Sequence, residues 1–161
     1  MKEPHILDIS EKKLVGMRVR MSYSDDKTSF LWRNFKPRVK EIASSLQSGL
    51  HSVQIFDQDF RFENFTPTTE LDKWAAVEVS DFDNLPDEME KLILSGGKYA
   101  VFAHRGAADS FHQIFQFIFG VWMPNSQYKL DQREHFEILG DNYNPFDPNA
   151  EEEIWIPIKA K

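Results

Sequence analysis

The 161-residue sequence contains no cysteine, which excludes disulfides, thiolate zinc sites, iron–sulfur ligation and cysteine nucleophiles together. Its histidines, His5, His51, His104, His112 and His135, show no helical metal-ligand spacing, so neither a zinc site nor any cofactor is expected. Glycine is sparse, and its one adjacent pair, Gly96-Gly97, precedes a strand-like run rather than a helix N-terminus, so no phosphate-cradling loop is present. There is no Lys/Arg-rich stripe, and the formal net charge is -7. The electrostatic footprint of direct nucleic-acid binding is therefore missing. The most apolar stretch, Phe111 to Met123, still carries His112, Gln113 and Gln116 and cannot serve as a membrane span. No nucleophile-elbow pattern frames a Ser/His/Asp set. Met1-Lys2-Glu3-Pro4-His5 lacks a signal-peptide apolar core, and these absences together point to a cytoplasmic protein.

What is abundant is aromatic surface. Hydrophobic residues make up 41% and aromatics 14%, with 14 Phe and 4 Trp, more than a minimal core needs. Such a surplus either lines a pocket or packs a core. The length fits one domain, 1–161.

Leu14 to Met21 alternates after Gly16, with Met17, Val19 and Met21 opposite Arg18 and Arg20, which predicts a half-buried strand. The spacing Leu31, Phe35, Val39, Ile42 and Leu46 predicts an amphipathic helix, kinked or divided at Pro37. His51–Phe56 and Trp74–Val79 are strand candidates, separated by a polar stretch around Pro67. In the second half, Gly97–Gly106 predicts a strand and Phe111, Ile114, Phe115, Ile118 and Trp122 a helix face capped by Asp109 or Ser110. His135–Asp141 and Glu153–Ile158 predict further strands, joined by a polar loop, Asn144–Asn149.

The halves share the order strand, helix, strand, strand, with Ser52–Asp57 matching His135–Gly140 and Trp74–Val79 matching Glu153–Ile158. The fold class is therefore α+β: a tandem β-α-β-β repeat, about 6–80 and about 97–160, with pseudo-twofold symmetry. Its antiparallel sheet would form a ligand cup with the helices packed behind it.

Four short motifs in this order, Gly97-Lys98-Tyr99-Ala100-Val101-Phe102-Ala103-His104-Arg105-Gly106, Trp122-Met123-Pro124, Phe136-Glu137 and Ile154-Trp155-Ile156-Pro157-Ile158, resemble the GyrI-like small-molecule-binding domain. That domain is also the effector-binding half of AraC- and MerR-type multidrug-responsive activators. In the first half, Trp74–Val79 followed by Leu85-Pro86 fits the same pattern. The resemblance implies an aromatic-lined cavity holding cationic amphipathic ligands against a glutamate, here Glu137. The family pattern has a tyrosine two residues later, where this chain has Leu139. With a strand expected close to Met1, the helix-turn-helix that such regulators carry at the N-terminus is not expected in this chain.

Strand alternation sends Glu137 to the face opposite Phe136 and Ile138, toward either solvent or a cavity. If buried among aromatics, its pKa should rise. Trp74 and Trp155, on corresponding strands, can stack on a cationic or aromatic ligand. Glu78 shares its face with Trp74 and is either a second acid or an edge residue. Trp122, Tyr99 and Phe56 are pocket wall or core.

The expected function is binding of amphipathic, cationic or aromatic small molecules, without direct nucleic-acid or membrane contacts, by a stand-alone effector-binding or sequestering protein. One alternative is hydrolysis of strained electrophiles such as cyclopropanoids, with Glu137 as general base. Another is a protein-interaction role such as gyrase inhibition.

Overall fold

The computed structural model describes residues 3–107, 110–140, 143, 144 and 146–161. Among these are nine strands in one antiparallel system: β1 (His5–Ile9), β2 (Lys12–Met21), β3 (Ser45–Phe56), β4 (Leu71–Val79), β5 (Glu90–Leu94), β6 (Gly97–Arg105), β7 (Tyr128–Leu130), β8 (His135–Leu139) and β9 (Glu151–Ala160). Helix α1 spans Thr28–Phe35 and α2 spans Phe111–Phe117. Asp109, Asp141 and Pro145, which belong to the expected cap, strand end and loop, lie outside the described residues.

The strand order is β1-β6-β9-β8-β3-β4-β2-β5, with β7 beside β9. Ser10-Glu11 links β1 to β2, and Ser95-Gly96 links β5 to β6. Each two-residue link joins strands that lie near opposite ends of this order. So short a connection spans only about 10 Å, and the sheet therefore curls until its ends approach each other. Its inner face is filled by Val53, Trp74, Tyr99, Val101, Phe136 and Trp155, with Leu14 and Leu94 from the far strands.

The repeat sets the symmetry. Ser52 faces Glu137, Val53 faces Phe136 and Gln54 faces His135; exchanging β3 with β8 maps the first pair onto the third and the second onto itself. The pseudo-twofold axis thus passes through Val53–Phe136, both fully buried. Trp74 faces Val53 and Trp155 faces Phe136, which makes the two tryptophans equivalent. The sequence match of Trp74 with Glu153 is corrected here by two residues.

Both helices pack on the outer face of the curl. Leu31 and Phe35 of α1 cover Leu50, Ala75, Val77 and Leu139, while Ile114 of α2 and the following turn cover Phe102, Ile154 and Ile156. Pro37 ends α1 and opens a tight 3-10 turn, Lys36–Glu41, as its missing N–H requires. The expected helix stripe does not reach Leu46, which lies in β3 and is exposed. Gly49, at φ +102°, sits where the β3–β4 register shifts and supplies a left-handed conformation costly for other residues.

Candidate functional site

Cross-strand register assigns every central side chain to a face. Glu137 faces Ser52 and Ile154, so it lies on the helix-bearing outer face, between the α1 and α2 clusters. Trp74, Trp155 and Tyr99 lie on the inner face, packed as core: Phe136 stacks on Trp155 at 5.1 Å, and Tyr99 meets both edge-on. Glu78 is also on the inner face, 3.8 Å from Lys12 and accepting from Ser48 Oγ at 2.7 Å. Trp122 is buried against Phe102 in the α2 cluster, its Nε1–H donating to Glu3. Phe56 joins Phe60, Phe62 and His135 at one end of the sheet. The structure therefore does not gather these residues around one cavity, and Glu137 stands apart from the three inner-face aromatics.

Around Glu137 the outer face carries a diagonal of polar groups. Lys73 on β4 faces Gln54 on β3. The Gln54 amide donates to Glu137 Oε1 at 3.4 Å. Glu152 on β9 lies diagonally beyond, facing Leu139 and His104. His104 Nδ1 is 3.0 Å from Glu152 Oε1, and its Nε2 is 3.1 Å from Ser110 Oγ. Glu137 is 9% exposed and Lys73 7%. Burial pushes the Glu137 carboxyl up to about 7, with Lys73 and the Gln54 amide opposing and Glu152 adding to the rise. Glu152 is likewise pushed up to about 7 by burial, against the pull of Lys73. Lys73 is held below the usual ammonium value by burial, opposed by Glu137, Asp26 and Glu152.

Aromatic rings flank this diagonal at its His135 end. Phe62 stacks over His135 at 5.7 Å and meets Phe65 at 5.7 Å and Phe119 at 5.2 Å. Phe119 continues to Phe115, and Phe65 to Tyr23. The arc bridges from the start of α1 to the π-helical turn Ile118–Trp122, a feature common at functional sites. Tyr23 leaves 48% of its surface exposed, yet the desolvation of its hydroxyl end, then the charges of Glu137 and Asp26, pushes that hydroxyl up. Tyr143 is also pushed up to about 12, by burial and then Glu152 and Glu137. Two tyrosines thus stand within electrostatic reach of Glu137 although Leu139 occupies the position of the family tyrosine.

One cavity of about 530 Å³ lies between Pro4, Ile6, Val121 and Trp122, and another of about 460 Å³ lies between Phe56, Phe60, Leu92 and Arg133 and also borders Phe62 and His135 at the aromatic end of the diagonal. Neither has Glu137 in its lining. Among the described residues no three His, Asp or Glu side chains are arranged to hold a metal ion, and no helix is long and apolar enough to cross a membrane.

A duplicated antiparallel α+β module with a helix on the outer face of each half is the fold of a small-molecule-binding domain of the effector-binding type. A family model for the GyrI-like small molecule binding domain matches residues 2–159, and the chain belongs to that family. It is 29% identical over 146 residues to the transcriptional regulator BrlR of Pseudomonas aeruginosa, covering 90% of this chain and 51% of the regulator. The chain thus spans about half the length of that relative. The fold also matches SAV2435 bound to tetraphenylphosphonium, at TM-score 0.74 and 16% identity over 98% of this chain and 94% of that one. The EcmrR C-terminal domain matches at TM-score 0.72 and 13% identity, over 99% and 98%.

Proposed function

We propose that the chain binds amphipathic, aromatic cations on its outer face, with Glu137 as counter-ion and the Phe62–Phe65–Phe119 arc as the apolar wall. The observation that carries this reading is a buried carboxylate, one residue from the symmetry axis, whose only direct hydrogen bond among the described residues is one long contact with Gln54, its symmetry counterpart. A buried carboxylate is costly unless a cation compensates it, and aromatic faces add attraction for a cation. Glu137 is buried, so a ligand that pairs with it displaces the side chains that cover it. The likeness to a fold that holds tetraphenylphosphonium supports the choice of probe. Glu137→Gln should weaken tetraphenylphosphonium about 10- to 100-fold in a calorimetric titration, since a desolvated charge partner contributes about 1.5–3 kcal/mol. Equal affinity in the variant would remove Glu137 from the site.

A second reading, hydrolysis of strained electrophiles, is favoured by the same carboxyl at about 7, where a general base is half available at neutral pH. Turnover of a cyclopropane-bearing electrophile that vanishes in Glu137→Gln would select it.

A further inference from the structure

A single acid in an apolar site selects a monocation, but the diagonal on this face carries both signs. Lys73 is as buried as Glu137 and forms no ion pair among the described residues, whereas Lys12, Lys98 and Lys159 each have an acid partner. Register places Lys73 two strands from Glu137, across Gln54, and Glu152 one strand further along the same diagonal. With strands about 4.8 Å apart, the Lys73 and Glu137 backbones stand roughly 10–12 Å from each other. A pure cation on Glu137 takes up one of the three acids, Glu137, Asp26 and Glu152, whose charges reach Lys73, and still leaves the buried ammonium without a direct anionic partner among the described residues. A ligand that also brings a carboxylate gives the Lys73 ammonium the direct anionic partner that no described residue supplies.

We propose that the site is built for an aromatic zwitterion, whose cationic end takes Glu137 and Glu152 and whose carboxylate takes Lys73. This rests on the reading of the outer face as the ligand site and narrows it to ligands carrying both charges on one rigid aromatic frame. Glu152, braced by His104, receives the cation jointly with Glu137, and Gln54 lies under the middle of the ligand.

The test is fluorescence anisotropy with rhodamine B, a zwitterion at neutral pH, and its ethyl ester, which keeps the cation and caps the carboxylate. The native chain should bind rhodamine B at least tenfold tighter than the ester. Lys73→Met should erase that preference by weakening rhodamine B alone, Lys73→Arg should retain it, and Glu137→Gln should weaken both dyes. Circular dichroism checks that each variant is folded, and the preference of the native chain needs no variant. If the ester binds as well as rhodamine B, and Glu137→Gln weakens both, the zwitterion proposal falls while the cation site stands. If neither dye binds, or Glu137→Gln changes nothing, the cation site falls and this proposal with it.

Discussion

Glu137 couples pH to stability and, on the proposed function, to binding with the opposite sign. Its carboxyl sits at about 7 when folded against an ordinary 4.5. The folded state therefore holds a proton that the unfolded chain has lost between those values, and this contribution to stability is complete below about 4.5 and lost as pH rises through 7. His51 and His135, both lowered to about 4, burial being the main cause, act the other way: their contribution is complete above 6.5 and lost as pH falls toward 4. The two effects overlap in the native chain, but a difference measurement separates them. Glu137→Gln should gain roughly 1–3 kcal/mol relative to the native chain between pH 4.5 and 7.5, read from denaturant midpoints at each pH. If Glu137 is the counter-ion proposed above, tetraphenylphosphonium needs the ionised carboxylate, and its affinity should fall about tenfold per pH unit below 7. The fall should be absent in the Gln variant; an unchanged slope there would assign the titration to Glu152.

At the scale of elements, the curl depends on strands that approach without side chains between them. A Cβ on Gly16 would lie 2.0 Å from the Ala75 carbonyl oxygen and 2.7 Å from Ala76 Cα, contacts that only backbone movement can relieve. Gly16→Ala should therefore destabilise by about 3 kcal/mol or more, seen as a drop in Tm, and a variant within 0.5 kcal/mol of the native chain would mean that β2 and β4 separate freely. The long strands were legible in the sequence because alternation over Leu14–Met21 or Trp74–Val79 has one reading. β5 and β7 were not, since Glu90–Leu94 is short and mixed and Tyr128–Leu130 offers three residues, too few for a period. The expected strand at Trp74 began too late to include Lys73, so its place opposite Gln54 went unseen. Phe60, Phe62 and Phe65 come from a segment with no repeating strand in the described residues, and nothing periodic in it signals that Phe62 meets Phe119 and His135.

The whole molecule divides aromatic labour between two faces, and this is what a single strand's pattern cannot reveal. Alternation separates Glu137 from Phe136, but only the pairing of Phe136 with Trp155 tells that the tryptophan lies away from the acid. The duplication and the correspondence of the strands that carry Trp74 and Trp155 followed from sequence order; the pairing of β3 with β8, the two-residue offset that makes the tryptophans themselves equivalent and the assignment of the curl's interior to core did not. The division makes a prediction in two arms. Trp155→Phe and Trp74→Phe shrink the inner core and should lower stability by about 1–3 kcal/mol, yet leave tetraphenylphosphonium affinity within about twofold, because they reach Glu137 only through the sheet. Phe65→Ala and Phe119→Ala remove half-buried rings from the outer arc and should cost less stability while weakening the same ligand about fivefold or more, as lost cation–π and apolar contact of about 1 kcal/mol each implies. Paired denaturation and titration data on the four variants decide the matter. If the tryptophan variants lose affinity and the phenylalanine variants keep it, the ligand enters the inside of the curl, and the outer diagonal from Lys73 to Glu152 is a structural network rather than a binding site.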